Sequence, residues 1–170
     1  MFVSKKPEEL LLKPHDIWNN TWFLLTAGDF LEKKFNTMTV AWGSIGTMWN
    51  KPFVMVVVRP TRYTFEFMEK YDNYTVCTFP EKFRQDLKIL GTKSGKDIDK
   101  ISYPGLHPIA SEKISSPGYL EADLIIECKK IYFDDIRPDK FLDQKIHNSY
   151  PAKDYHRMYF GEILNILEKE

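Results

Sequence analysis

The sequence predicts a mainly β protein, an antiparallel β-barrel with helices inserted between its strands. Short runs of β-branched and aromatic residues recur along the whole chain, which favours strands. The helical patterns fall between strands without alternating regularly with them, so a parallel α/β fold is not expected. With 170 residues, of which 43% are hydrophobic, the chain can bury one core. We therefore expect one domain over residues 1–170, with residues 1–19 as an N-terminal extension.

Strands dominate the first sixty residues. Residues 22–26 and 37–42 are predicted strands, and residues 53–59 form a third strand that is apolar throughout and is therefore expected to be buried on both faces. Residues 63–71 follow Pro60 and place apolar side chains at helical spacing, which predicts a short helix.

The middle of the chain contains a predicted strand, a predicted helix and two loops. Residues 74–79 return to a strand pattern, and residues 81–93 have the periodicity of an amphipathic helix. Residues 94–100 form a polar loop after that helix. Residues 102–118 contain three prolines and two glycines, which is typical of a long excursion over the surface.

The C-terminal part adds two more strands. Residues 119–133 alternate apolar and polar side chains, a pattern that suits a barrel wall with one buried face. Residues 138–150 are helix-like or irregular, and residues 159–164 form the closing strand. Six or seven strands are expected in total.

Charge and composition exclude several classes of function. Lys plus Arg equals Asp plus Glu at 24 each, so no overall field attracts nucleic acid or a membrane surface. No stretch approaches the roughly 18 apolar residues of a membrane helix, and the N-terminal apolar run is too short for a signal sequence. We therefore expect a cytoplasmic protein. Cys77, Cys128 and the histidines are too scattered for a redox motif or a metal site.

Two segments joined by the third strand carry the most chemical information. Residues 36–43 supply small hydroxyls and backbone amides, with Met38 and Trp42 able to lie against a flat ring. Residues 59–64 supply two arginines and two threonines where a strand gives way to a helix. This is the chemistry that a phosphate group needs. Together the two segments predict a cofactor site.

The sequence excludes one common type of cofactor site, the dinucleotide-binding Rossmann fold. Its glycine-rich piece, residues 43–46, lacks the spacing of that fingerprint and does not open a helix in a parallel βαβ unit. A nicotinamide nucleotide, if this protein uses one, would therefore visit as a substrate.

The same segments, followed in order by residues 94–100 and by a late Gly-Glu-Ile at residues 161–163, resemble the flavin reductase-like, FMN-binding split-barrel family, which includes flavoredoxin. The resemblance extends over residues 20–167. It implies a six-stranded split β-barrel that pairs into a homodimer, with FMN held non-covalently at or near the subunit interface.

The resemblance also implies which residues contact the cofactor. Residues 38–42 would lie along the flavin ring and ribityl chain, residues 59–64 near the phosphate, and residues 94–100 in a loop that closes on the cofactor. The candidate cofactor-binding residues are Asn36, Thr37, Met38, Thr39, Ala41, Trp42, Arg59, Arg62, Tyr63, Thr64, Ser94, Gly95, Lys96 and Lys100.

Several of these residues have a simpler interpretation. Arg59 ends a buried strand and needs a partner, which a carboxylate supplies as well as a phosphate. Thr37 and Thr39 alternate with apolar residues as in any strand, and Trp42 can be plain core. The charged run at residues 94–100 is also typical of a solvated loop.

The expected function is flavin-dependent oxidoreduction, with electrons passing from NAD(P)H or a protein donor to a flavin, a metal complex or a redox partner. Because the flavin itself performs such chemistry, no catalytic side chain and no metal ligand is expected. The alternative is a flavoredoxin-like electron carrier that does not react directly with NAD(P)H. A third hypothesis keeps the barrel without flavin, with another cofactor such as haem or with none.

Overall fold

A computed structural model describes all 170 residues. The strands are β1 (Phe2–Lys5), β2 (Phe23–Asp29), β3 (Lys34–Val40), β4 (Gly43–Met48), β5 (Lys51–Val58), β6 (Asn73–Thr78), β7 (Pro108–Ile109), β8 (Gly118–Tyr119), β9 (Leu124–Asp135) and β10 (Arg157–Lys169). The helices are α1 (Pro14–Asp16), which continues into a wide turn at Ile17–Thr21, α2 (Tyr63–Lys70) and α3 (Arg84–Thr92). Short 3-10 turns occupy Pro7–Glu9, Glu81–Phe83, Pro138–Lys140 and Gln144–Ser149. No helix is long and apolar enough to cross a membrane.

Eight strands form one antiparallel sheet, in the order β3-β2-β6-β9-β10-β5-β4, with β1 added beside β10. The long strand β10 organises the sheet. It pairs with β9 along most of its length, while its other side pairs with β5 at the start and with β1 at the end. The two-residue strands β7 and β8 pair with each other inside the long surface excursion.

The two edges of the sheet are joined by a very short piece of chain. The edge strands β3 and β4 are consecutive in sequence, and only Ala41 and Trp42 separate them. The sheet must therefore curl until its edges meet at this corner. Because β3 and β4 do not pair with each other, the curled sheet stays split along that line.

Apolar side chains explain why the sheet curls and where the helices lie. Strand β6, near the middle of the sheet, is buried at every position. One face of α2 is buried through Thr64 and Met68, and α3 is buried through Leu87 and Leu90. These two helices pack along β2 and β3, so they cover one edge of the split.

The mainly β fold with inserted helices is confirmed, and most of the predicted elements exist. The third strand is buried at most positions, as its composition indicates. The two amphipathic helices lie within one to three residues of their predicted ends. The region at residues 138–150 forms short 3-10 turns, consistent with its irregular pattern.

The sheet differs from the sequence-based description in three places. Strand β4, which contains Gly43 and Gly46, was not among the predicted strands; it pairs with β5 as a hairpin. The strand expected over residues 119–133 is interrupted, since residues 120–123 form a turn in which Leu120 is 53% exposed. Within the expected N-terminal extension, strand β1 pairs with β10 in the same sheet.

Candidate functional site

The split between the sheet edges opens onto two adjoining cavities of about 140 and 200 Å³. They share Met38 on β3 and Arg62 at the start of α2. Three segments supply most of the lining: β3 with the corner that follows it, the junction between β5 and α2, and the loop after α3. The fold thus brings together residues that lie more than a hundred positions apart in the chain, such as Met38 and His156.

In the smaller cavity, here called the anion pocket, several hydrogen-bond donors have no acceptor within the protein. The hydroxyl of Thr64 accepts a bond of 2.7 Å from Asn36 Nδ2, so its own proton is free. The hydroxyl of Ser94 accepts from the amide of Lys96 at 3.1 Å and is free in the same way. Arg62 makes no ion pair and no side-chain hydrogen bond in this structure. A ligand with several acceptor oxygens is therefore favoured here.

Lys100 adds a buried positive charge to the anion pocket. Its residue is only 6% exposed, and Nζ donates to the carbonyl oxygens of Thr37 at 2.9 Å and Leu90 at 2.6 Å. The ammonium has three protons, so one donor remains. Burial, with a smaller contribution from the charge of Arg62, lowers the pKa of Lys100 to about 8. Asp97 also lines the pocket, but neither Arg62 nor Lys100 forms an ion pair with a carboxylate, and an anionic ligand would compensate both cations.

The backbone at the start of α2 also favours an anion. The first amides of a helix have no acceptor within it, and the helix dipole places positive charge at this end. Arg62 occupies the position just before the first helical residue, Tyr63, and no side chain caps the helix there. The polar end of α2 therefore faces the same pocket as Arg62 and Thr64.

The larger cavity, here called the apolar pocket, lies along the edge of the sheet. Its apolar side chains are Met38, Val40, Ala41 and Val57. Trp42 stands half exposed at 50% beside it. Because β3 is an edge strand, some of its amides and carbonyls have no partner in the sheet. The pocket thus combines flat apolar walls with backbone polar groups, as a planar heterocyclic ring requires.

A close approach at Gly95 fixes the loop that closes the anion pocket. A Cβ atom at this position would lie 2.1 Å from Asn36 Oδ1 and 3.0 Å from the ring of Tyr63. Only glycine lets the loop after α3 approach β3 and α2 this closely. Asn36 is itself held by its bond to Thr64, so three separate segments fix one wall.

The structure resolves the alternative left open for Arg59. Its guanidinium contacts Asp154 at 2.6 Å and the carbonyl oxygen of Ser149 at 2.8 Å, and it lies over the ring of Tyr150 at 4.8 Å from the centroid. Arg59 lines the apolar pocket, but its charge is already compensated. It therefore positions the segment before β10 more than it attracts an anion.

His156 is a residue of the apolar pocket that sequence reasoning did not select. Its ring lies 5.2 Å from that of Trp42, and Nδ1 is 2.8 Å from the hydroxyl of Tyr150. Burial, together with the nearby charge of Arg59 and against the effect of Asp154, lowers the pKa of His156 to about 4. The imidazole is therefore neutral at physiological pH and adds no charge to the pocket.

Two of the fourteen candidate residues do not line either pocket. The hydroxyl of Thr37 donates to the carbonyl oxygen of Leu25 at 2.9 Å inside the core, as its strand composition indicates; only its own carbonyl serves the site, through Lys100. Lys96 is exposed and pairs with Glu66 at 2.6 Å, as in a solvated loop. The other candidates line the two pockets: Asn36, Met38, Thr39, Ala41, Trp42, Arg59, Arg62, Tyr63, Thr64, Ser94, Gly95 and Lys100.

The residues that sequence reasoning missed come from a distant segment. Tyr150, Asp154 and His156 precede β10, almost a hundred residues after Arg59. A partner for the arginine was expected, but nothing in the sequence identified which carboxylate would supply it. The one available signal is the clustering of an acid, a tyrosine and a histidine immediately before the closing strand.

A family model described as flavin reductase like domain matches residues 19–170. The chain belongs to this family. The flavin reductase-like fold predicted from the sequence, a split antiparallel β-barrel, is thereby confirmed. Membership in the family supports a flavin-related redox function.

Three similar proteins illustrate the family. An uncharacterised protein of Pyrococcus abyssi is 26% identical over 79% of this chain and 67% of its own. The structure of flavoredoxin from Desulfovibrio vulgaris (Miyazaki F) is 23% identical, with a TM-score of 0.68 over 98% of this chain and 77% of the other. An FMN-binding protein from Thermus thermophilus, with bound p-hydroxybenzaldehyde, is 17% identical, with a TM-score of 0.69 over 99% and 82%.

Proposed function

We propose that this protein binds FMN in the two adjoining pockets and acts as a flavoprotein oxidoreductase. The observation that carries the proposal is the uncompensated pair of cations, Arg62 and Lys100, at one end of a trough whose other end is apolar. FMN has a matching arrangement, with a phosphate at one end and a planar ring at the other. The redox function of the family supports the same assignment.

The anion pocket fits the terminal phosphate. Arg62 and Lys100 supply charge, and the free protons of Thr64 and Ser94 supply neutral hydrogen bonds. The start of α2 adds its unpaired amides. A phosphate monoester has three terminal oxygens and a double charge near neutral pH, so it can use all of these groups together.

The apolar pocket fits the ring. When bound, FMN would supply the electron-transfer chemistry, as flavins do. The side chains of this chain bind and orient: Met38 and Val57 pack against a flat surface, and the free edge of β3 offers hydrogen bonds to the polar rim of the ring. Neutral His156 adds no charge to this end. No acid or base from the protein is needed for such a role.

We also propose that the protein functions as a homodimer. The two pockets together reach only the lower end of the range of about 300–1,000 Å³ that ligand sites occupy, so one chain encloses the ligand incompletely. The exposed rings of Trp49 and Tyr132 lie 5.7 Å apart and meet Phe160, forming an aromatic patch that a second copy would cover. A symmetric pair is the commonest way to bury such a patch.

The electron donor distinguishes two forms of this function. The first is a reductase in which NADH or NADPH reduces the bound flavin. The second is a carrier whose flavin receives electrons from another protein. Trp42, beside the apolar pocket, is half exposed, so the pocket that would hold the flavin ring is accessible from solvent. This accessibility is compatible with a nicotinamide nucleotide and with a protein as the electron donor.

The experiment is an absorption spectrum of the FMN-loaded protein under anaerobic conditions, before and after NADH or NADPH is added. Loss of the flavin band near 450 nm, faster than with free FMN, supports the reductase. A band that persists with both nicotinamides but disappears with dithionite supports the carrier. A protein that retains no FMN after gel filtration would contradict the proposed function in both forms.

A further inference from the structure

The lining of the apolar pocket contains a cation that the function proposed above does not use, the guanidinium of Arg59. The other arginine of the lining, Arg62, is assigned to the phosphate, and the imidazole of His156 is neutral at physiological pH. Arg59 is therefore the charged group that a ring in this pocket would face. Its effect on the ring depends on how far its charge is compensated.

Asp154 compensates this charge from outside the pocket. Its carboxylate accepts a bond of 2.6 Å from Arg59 and one of 3.4 Å from the hydroxyl of Thr61, and it does not belong to the lining. The pair is shielded from solvent, since 22% of the Arg59 side chain and 15% of the Asp154 side chain are exposed. Water and salt screen such a pair less than a pair on the open surface. Both charges therefore act on the pocket.

Two further contacts hold the guanidinium of Arg59 in place. It donates to the carbonyl oxygen of Ser149 at 2.8 Å and lies over the ring of Tyr150 at 4.8 Å from the centroid. The side-chain hydrogen bonds that join residues 137–155 to the rest of the chain are these bonds of Arg59, the bond of Thr61 and the Tyr150–His156 pair. The ion pair thus has a structural role as an anchor for this segment, and a role in charge compensation has to be distinguished from it.

His156 shows that both charges reach the interior of the apolar pocket. Burial is the largest cause of its low pKa; in addition, the charge of Arg59 lowers the pKa of His156 and the charge of Asp154 raises it. The two charges therefore oppose each other at a group that lines the pocket. A ring bound there would experience the same opposition.

We infer that Asp154 sets the reduction potential of the bound flavin by compensating the charge of Arg59. The inference rests on the proposed function. A ring that takes up two electrons with one proton from its donor gains one negative charge, which a nearby cation stabilises. An uncompensated Arg59 would favour the reduced ring, and Asp154 removes that bias. Because Asp154 acts through Arg59, it is a positioning residue.

The first test measures the midpoint potential of the FMN-loaded protein by anaerobic titration with dithionite and a reference dye. Asp154→Asn keeps the shape of the side chain and leaves one uncompensated positive charge, so the potential should rise. Arg59→Gln leaves one uncompensated negative charge, so the potential should fall. The double variant has neither charge and should lie near wild type. Each single change should alter the ratio of reduced to oxidised FMN at a fixed potential by about tenfold, which is about 30 mV for a two-electron couple.

The opposite signs distinguish charge compensation from anchoring. Both single variants break the same ion pair and loosen the same segment, so an anchor alone would shift the potential in one direction, or not at all. Asp139→Asn is the matched control. It removes a carboxylate from the same segment, where Asp139 pairs with Lys140 at 3.3 Å outside both pockets. It should leave the potential unchanged.

The second test uses the protein without FMN. The pKa of His156, followed by NMR of its ring protons, should rise in Arg59→Gln and fall in Asp154→Asn from its wild-type value of about 4. Equal pKa values in all three proteins would overturn the inference, because the charges would then not reach the pocket.

Failure of the inference can be distinguished from failure of the proposed function. If the variants retain FMN but their potentials are unchanged, move in the same direction, or move as far in Asp139→Asn, the inference alone is overturned. If the wild-type protein retains no FMN, the proposed function is overturned, and the inference with it.

Discussion

At the scale of single residues, the site is defined by which protons lack an acceptor. Arg62, Lys100 and the hydroxyls of Thr64 and Ser94 retain donors after all the internal hydrogen bonds are made. Arg59 differs, because its charge is already compensated by the carboxylate of Asp154. Both arginines were candidate cofactor-binding residues from the sequence, with a carboxylate partner as the alternative for Arg59, and the tertiary contacts now separate a binder from a structural ion pair.

Lys100 gives a prediction about the pH dependence of FMN binding. Its pKa of about 8 means that the cation is lost as pH rises above that value. FMN affinity of the wild-type protein should therefore fall between pH 7 and 9. Lys100→Met should bind FMN more weakly at pH 7, by about 1.5–3 kcal/mol, and with little further change up to pH 9. Fluorescence titrations at several pH values measure this; parallel pH profiles would assign the phosphate contact to other groups.

His156 gives a prediction about stability. Its pKa is lower in the folded protein, at about 4, than the ordinary value of 6.5 in the unfolded chain. Between these values the unfolded chain binds more protons, so this residue makes the free energy of unfolding rise with pH from 4 to 6.5. In His156→Gln that rise should be smaller. Urea denaturation at pH 4.5 and pH 7 measures it, and an equal rise in both proteins would refute the assignment.

At the scale of elements, the clearest sequence patterns found the strands and helices that carry the site. The apolar run of β5 and the helical spacing of α2 placed residues 59–64 correctly at a strand-to-helix junction. Strand β4 was missed because local propensity disfavours glycine in strands. Gly43 allows close packing against Met55 and Trp18, and this depends on contacts with residues elsewhere in the chain.

The two glycines of β4 give a matched pair of substitutions. A Cβ at Gly43 would lie 2.4 Å from the carbonyl oxygen of Met55 and from the ring of Trp18. At Gly46 the nearest atom, in the ring of Phe53, is 3.4 Å away. Gly43→Ala should therefore lower the free energy of unfolding by about 1–3 kcal/mol, whereas Gly46→Ala should stay within about 1 kcal/mol of wild type. Chemical denaturation compares them; equal stabilities would contradict the packing described for the corner.

At the scale of the whole molecule, the sequence could predict a barrel but not how its edges meet. Strand content and alternation indicate the class of fold. The sheet curls because two residues join its edge strands, and it stays split because those strands do not pair with each other. His156 contacts Trp42 in this corner from a segment that no local pattern relates to it. The resemblance to a family supplied the order of the motifs. It is the reason that residues far apart in the sequence were selected together as candidates, and most of them line the two pockets.

The proposed dimer can be tested through the exposed aromatic patch. Trp49→Asp should shift the protein toward the monomer in sedimentation velocity experiments, because a buried interface charge without a partner is costly. Leu142→Asp is the control, since Leu142 is fully exposed at 100% in the segment before β10. Equal sedimentation of both variants and the wild type would place the interface elsewhere on the surface.

The central claim is that the anion pocket holds the phosphate of FMN, and an equilibrium titration of FMN tests it most directly. The titration should be run on the wild-type protein, on Arg62→Ala and on Arg137→Ala, an exposed arginine outside both pockets. We predict saturable binding of one FMN per chain, weakened by about 10- to 150-fold in Arg62→Ala and unchanged in Arg137→Ala. Equal affinity in all three proteins, or no binding by the wild type, would contradict the account.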